Sequence, residues 1–160
     1  MASAGELVAA GPIRVKVPSG WIAEKPSSAM RLLEMRVPAD AAKPEPAPGD
    51  CLVAFFSFGG DVAGNLERWR GMVLDAEAKP SAAEAVVSES GGLKVHTIEM
   101  VGTYMDGMPG GPRTPREAWM FRGAVIETPE RLTFIRMTGP EAAMKAAAEG
   151  WGTLVGSVER

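Results

Sequence analysis

The chain has 160 residues, 46% hydrophobic and 23% charged, which fits one globular domain with a real core and argues against disorder. A net charge of −3 and the absence of any Lys or Arg run give a nucleic-acid partner no support. No apolar run reaches the roughly 18 residues of a membrane helix, and one cysteine, Cys51, excludes an intrachain disulfide.

The opening MASAGELVAAG has neither a basic n-region nor a long apolar stretch. Residues 1–11 are expected to be a flexible tether, of the small-residue kind found after a removed export signal. An exported or periplasmic setting is therefore favoured, with residues 12–160 forming a single globular domain.

PIRVKVP (12–18) alternates Ile13, Val15 and Val17 against Arg14 and Lys16, the period of a half-buried strand. Pro18-Ser-Gly20 turns the chain into a short second strand, 21–25. In 29–38, Leu33, Met35 and Val37 form one apolar strand face, although the residue types also suit a helix. The four-proline stretch PADAAKPEPAPGD (38–50) cannot join a sheet and predicts an extended surface connection.

CLVAFFSF (51–58) is apolar on both faces, which predicts a central strand covered above and below. Cys51 inside it reads as a small core residue rather than a reactive thiol. Asp61 then caps a helix whose stripe is Val62, Leu66, Trp69 and Val73. Strands at 85–90 and 93–105 join through Gly91-Gly92, a hairpin signal. A second pair is predicted at 117–129 and 131–139. Thr138 and Glu141 match a capping box, and Ala143, Ala147, Trp151, Leu154 and Val158 mark a last helix. Gly150 and Gly152 weaken that helix and predict a close approach to its packing partner. The expected architecture is α+β: a mainly antiparallel central sheet flanked by helices.

This order resembles the PsbP-like α/β/α sandwich family, which includes the extrinsic photosystem II protein and many bacterial members. The resemblance covers nearly the whole chain. It is carried by Gly20-Trp21, Met30-Arg31, the helix entry Gly59, Gly60, Asn65, Arg68 and Trp69, and the Gly139-Pro140 turn. These residues are structural in character. The resemblance implies a binding or assembly role rather than catalysis.

The chemistry-bearing residues are sparse. The single histidine, His96, lies in a predicted strand, and no G-x-S-x-G elbow accompanies it. Met105 and Met108 make an M-x-x-M spacing, so Met105, Met108 and His96 form the alternative ligand set of a copper(I) carrier. GTYMDGMPGGPR (102–113) lacks the helix start that a phosphate site needs. With the following TPR it reads as a long inter-strand loop, 102–116, whose tip carries Tyr104, Met105, Met108 and Arg113, residue types that interfaces favour. A lone Asn65 is expected to bond loop backbone. The sequence therefore predicts a non-catalytic binding or assembly domain acting through surface loops, with no cofactor. Its partner is expected to be a protein or peptide, and its state a monomer or weak homo-oligomer. A small-ligand carrier is the alternative.

Overall fold

The computed structural model describes residues 3–107 and 111–160. Ten strands and three helices follow in the order β1 (Leu7–Ala10), β2 (Ile13–Lys16), β3 (Ile22–Glu24), β4 (Leu33–Val37), β5 (Cys51–Phe58), α1 (Val62–Arg70), β6 (Val73–Leu74), β7 (Val86–Ser90), β8 (Leu93–Asp106), β9 (Thr114–Glu127), β10 (Leu132–Pro140), α2 (Glu141–Ala146) and α3 (Ala148–Gly156). All but β1 and β2 build one eight-stranded sheet in the order β3-β4-β5-β10-β9-β8-β6, with β7 also on β8. Its pairings are antiparallel throughout.

Strand alternation divides the core between the two faces. One face carries Met35, Val53, Phe55, Ile126 and Ile135 under Met144 of α2 and Leu154 of α3. The other carries Phe121, Val125 and Phe134 under Leu66 and Trp69 of α1. The result is the expected α/β/α sandwich. Among the described residues no helix is long and apolar enough to cross a membrane.

Several expectations change. Leu7–Ala10, placed in the N-terminal tether, pairs with Ile13–Lys16 as a hairpin, and Ala10 is fully buried. Two small alanines and a valine gave little strand signal, and the pairing of neighbouring Ile13–Lys16 decides it. The capping box at Thr138 and Glu141 does not form. Strand β10 runs through to Pro140, α2 begins without a side-chain cap, and a break at Ala147 splits the last helix in two. Gly150 does lie where a Cβ would meet the Trp21 ring, 2.7–2.8 Å away, whereas Gly152 faces open space.

The Pro-rich stretch is tied down. Asp50 accepts hydrogen bonds from the Ala39 and Ala47 backbone amides, both at 2.9 Å, and pairs with Arg36 at 3.0 Å. Arg36 also reaches Glu24 at 3.4 Å. Asp50 and Arg36 are both buried, so one carboxylate closes the connection between β4 and β5.

Cys51 is 1% exposed, and burial pushes its thiol up to about 11, with Arg122 opposing the shift. The folded protein should therefore leave an aromatic disulfide reagent unreacted near neutral pH and consume one equivalent after denaturation. Rapid reaction of the native protein would contradict this placement.

Candidate functional site

Strand β5 does not have the full cover its apolar sequence predicts. Leu52 is 52% exposed, and Phe56 and Phe58 are only half-buried on the α1 face. The cause is geometric. Helix α1 has nine residues and packs over β8 and β9, where Trp69 meets Phe121 at 5.3 Å between ring centres. Gly123 permits this, because a Cβ there would overlap the Trp69 ring. Trp69 also reaches Phe134 of β10, at 5.8 Å, and the β5 side of this sheet face is left without a helix.

The uncovered side forms a half-open cavity of about 770 Å³. Its floor is Phe56 and Phe58 of β5 with Arg136 of β10, and the buried Phe134 lies at its margin beneath Trp69. One wall is the segment Ser27–Arg31 that leads into β4. It is held by Glu34, which accepts from the Ser27 backbone amide and from its hydroxyl at 2.7 Å, and pairs with Arg31 at 3.3 Å. Burial alone would raise the Glu34 carboxyl, but the Ser27 hydrogen bonds and Arg31 hold it below its ordinary value. The opposite wall is the end of β8 with Met105, Asp106 and Arg113, and the C-terminal end of α1 closes the back with Arg68, Trp69 and Met72.

Of three arginines on the sheet, Arg36 and Arg122 are buried and Arg136 is half-buried. Arg36 is paired with Asp50 and Glu24. Arg122 is 3% exposed, pairs with Glu99 at 3.0 Å and donates to the Met144 carbonyl. Arg136 has no hydrogen-bond or ion-pair partner among the described residues; its guanidinium lies 5.2 Å over the Phe56 ring. The Arg31 guanidinium lies over the same ring at 5.6 Å. Burial pulls Arg136 below the usual arginine range, with Arg31 and Arg68 adding to the effect and Tyr104 and Asp106 opposing it. A guanidinium nonetheless stays charged in a protein, so the cavity floor carries a fixed positive charge.

The residues singled out from sequence fall differently. The expected loop 102–116 is mostly strand: Tyr104 faces Arg116, Met105 faces Pro115 and Asp106 faces Thr114, with a bulge at Gly102–Tyr104. Tyr104 is 3% exposed and stacks on Trp119 at 5.9 Å, so it is core, not tip. Burial pushes its phenol above the ordinary value. Met105 is half-buried in the cavity wall. Arg113 is exposed and donates to the Met105 and Gly107 carbonyls at 3.2 and 3.3 Å. Met108 lies outside the described residues. His96 and Met105 stand nine residues apart on β8, about 30 Å in extended chain, so the copper set is not assembled around His96. His96 instead contacts Glu127 at 2.6 Å. Asn65 donates to the Asp61 carbonyl at 2.8 Å, as expected of a loop-bonding amide.

No family model and no curated protein matches the sequence. Solved structures do match in three dimensions. The solution structure of cyanobacterial PsbP (CyanoP) from Synechocystis aligns with a TM-score of 0.53 at 13% identity, over 92% of this chain and 86% of that one. The chain has a PsbP-like fold. LpqN of Mycobacterium tuberculosis, described as involved in cell envelope biogenesis, aligns at 0.52 with 10% identity, over 92% and 82% of the two chains. A Bacteroides thetaiotaomicron protein aligns at 0.53 with 10% identity; it covers 99% of this chain, which spans about half the length of that protein.

Within the PsbP-like frame, the motif residues Arg31, Arg68 and Trp69, structural in character by sequence, all line the cavity. Phe56, Phe58 and Arg136 were missed as site residues. A signal existed for Arg136: in RLTFIRMTG it follows Leu132 and Phe134 on the same strand face, where a third apolar residue would be expected.

Proposed function

We propose that the domain is a non-catalytic binding module that holds a small ligand with an apolar body in the cavity over β5 and β10. The observation that carries this reading is the apolar cavity itself, floored by Phe56 and Phe58 and about 770 Å³ in volume. That size lies within the range of small-molecule sites, which are concave and mostly apolar with a few placed polar groups. A contact through the β8–β9 loop has less to support it, since the aromatic that would anchor it, Tyr104, is buried.

Titration of the isotopically labelled chain with decanol, followed by amide NMR shifts, tests the proposal. Saturable shifts should concentrate in residues 27–31, 56–58, 68–72 and 134–136. No saturable change, or shifts spread over both sheet faces, would overturn it.

A further inference from the structure

We infer that the cavity selects a small amphiphile with an oxyanion head, a carboxylate or a phosphate ester, whose head sits on Arg136 and whose apolar body lies along Phe56 and Phe58. This rests on the cavity being a ligand site and adds the class of ligand.

Three observations carry it. First, the fold pairs its two buried arginines, Arg36 and Arg122, with carboxylates, and leaves the half-buried Arg136 without one among the described residues. A partly desolvated guanidinium that opens on a cavity gains from an opposite charge placed there. Second, Arg31 and Arg136 bring two guanidiniums to one phenylalanine ring. Their mutual repulsion falls when an anion joins them, and the planar guanidinium fork matches an oxyanion in two parallel hydrogen bonds. Third, the lining holds Arg31, Arg68, Arg113 and Arg136 against a single acid, Asp106. Asp106 is itself engaged by Arg116 at 3.4 Å, and Arg31 by Glu34. The surplus is positive in a molecule whose net charge is −3. A cleft of one sign with low-dielectric walls draws the opposite charge into itself. The phenylalanine floor excludes a fully hydrophilic anion as the best fit, because it offers the body of the ligand only apolar surface.

The test compares decanoate, decyl phosphate and decanol on the wild-type chain and on Arg136→Met. Both anions, or one of them, should bind the wild type more tightly than decanol, and the tighter of the two identifies the head. Arg136→Met should weaken the preferred anion by about tenfold or more and affect decanol far less, so that the preference for the anion over decanol is lost. Its melting temperature should hold or rise, since an unpaired charge is replaced by an apolar chain of similar length. Arg136→Lys, which keeps the charge without the fork, should recover part of the loss. Decanol binding as tightly as both anions, or anion binding that survives Arg136→Met, would overturn the head assignment while leaving the cavity a ligand site. Failure of all three compounds to bind would overturn both readings.

Discussion

Replacing Asp50 with Ala should lower the unfolding free energy by about 2–3 kcal/mol and the melting temperature by roughly 5–10 °C. The carboxylate joins two backbone amides and Arg36, so its loss orphans three donors at once. Arg36 keeps Glu24 as a second partner at 3.4 Å, which holds the cost below that of a buried charge left wholly unpaired. Burial by itself would raise the Asp50 carboxyl, but the amides of Ala39 and Ala47 and the Arg36 guanidinium outweigh it and hold the group below its ordinary 3.8. A folded-state value depressed in this way gives stability that is complete above the unfolded value and drains away as pH falls through the folded one. The gap between wild type and Asp50→Ala should therefore be flat above about pH 5 and narrow below about pH 4. Urea unfolding across that range decides the matter; a gap that widened toward acid would refute the assigned role. A paired change, Arg36→Met with Asp50→Leu, should restore much of the loss by removing both charges together.

Trp69→Ala should be the costlier change, about 3–5 kcal/mol. Trp69 is 2% exposed and meets Phe121 at 5.3 Å and Phe134 at 5.8 Å. It fastens α1 to the sheet and also forms the back of the cavity. Gly123→Ala should likewise destabilise the protein, because the added Cβ overlaps the Trp69 ring. The two losses should not add: in the Trp69→Ala background a methyl at position 123 should cost less, since only its 2.8 Å contact with the Phe121 ring remains and that ring can shift into the vacated space. Additive losses in denaturant titrations would mean that Gly123 matters for some reason other than the ring. The enlarged cavity of Trp69→Ala should also favour longer apolar bodies over shorter ones.

The parts of this fold visible in its sequence were those with local causes. Alternation in 13–17 and 33–37, the Gly91-Gly92 turn and the Asp61 cap, whose side chain accepts from Gly64 at 2.7 Å, all act over a few residues. The misplaced parts were decided at long range. The pairing of Tyr104–Asp106 with Thr114–Arg116 carries β8 and β9 into the stretch expected as loop, and nothing in GTYMD or RTPR announces that partner. Thr138 lies in β10 because Phe121 and Leu52 flank it on the two neighbouring strands, which outweighs a capping sequence. The site was hidden for the same kind of reason. CLVAFFSF states that both faces of β5 are apolar, but not that α1 packs over other strands and leaves one face open. An apolar strand covered by a helix and one awaiting a ligand are written alike. Only Arg136, a charge on an apolar face, carried a local sign of the difference.

The sharing of one edge of β8 by two short strands bears on how the protein behaves when concentrated. Strand β8 runs for fourteen residues, long enough to template pairing with another chain along its outer rim. Strand β7 occupies Leu93–Thr97 and β6 occupies Thr103 and Tyr104. What stays open is the stretch 98–102, with Glu99 near its middle and a bulge where it ends. Outside it, β7 presents the exposed Val86 and Val87 followed by Ser88, Glu89 and Ser90. One of the two longest strands of the fold thus leaves edge-to-edge pairing only a short and interrupted rim of its own.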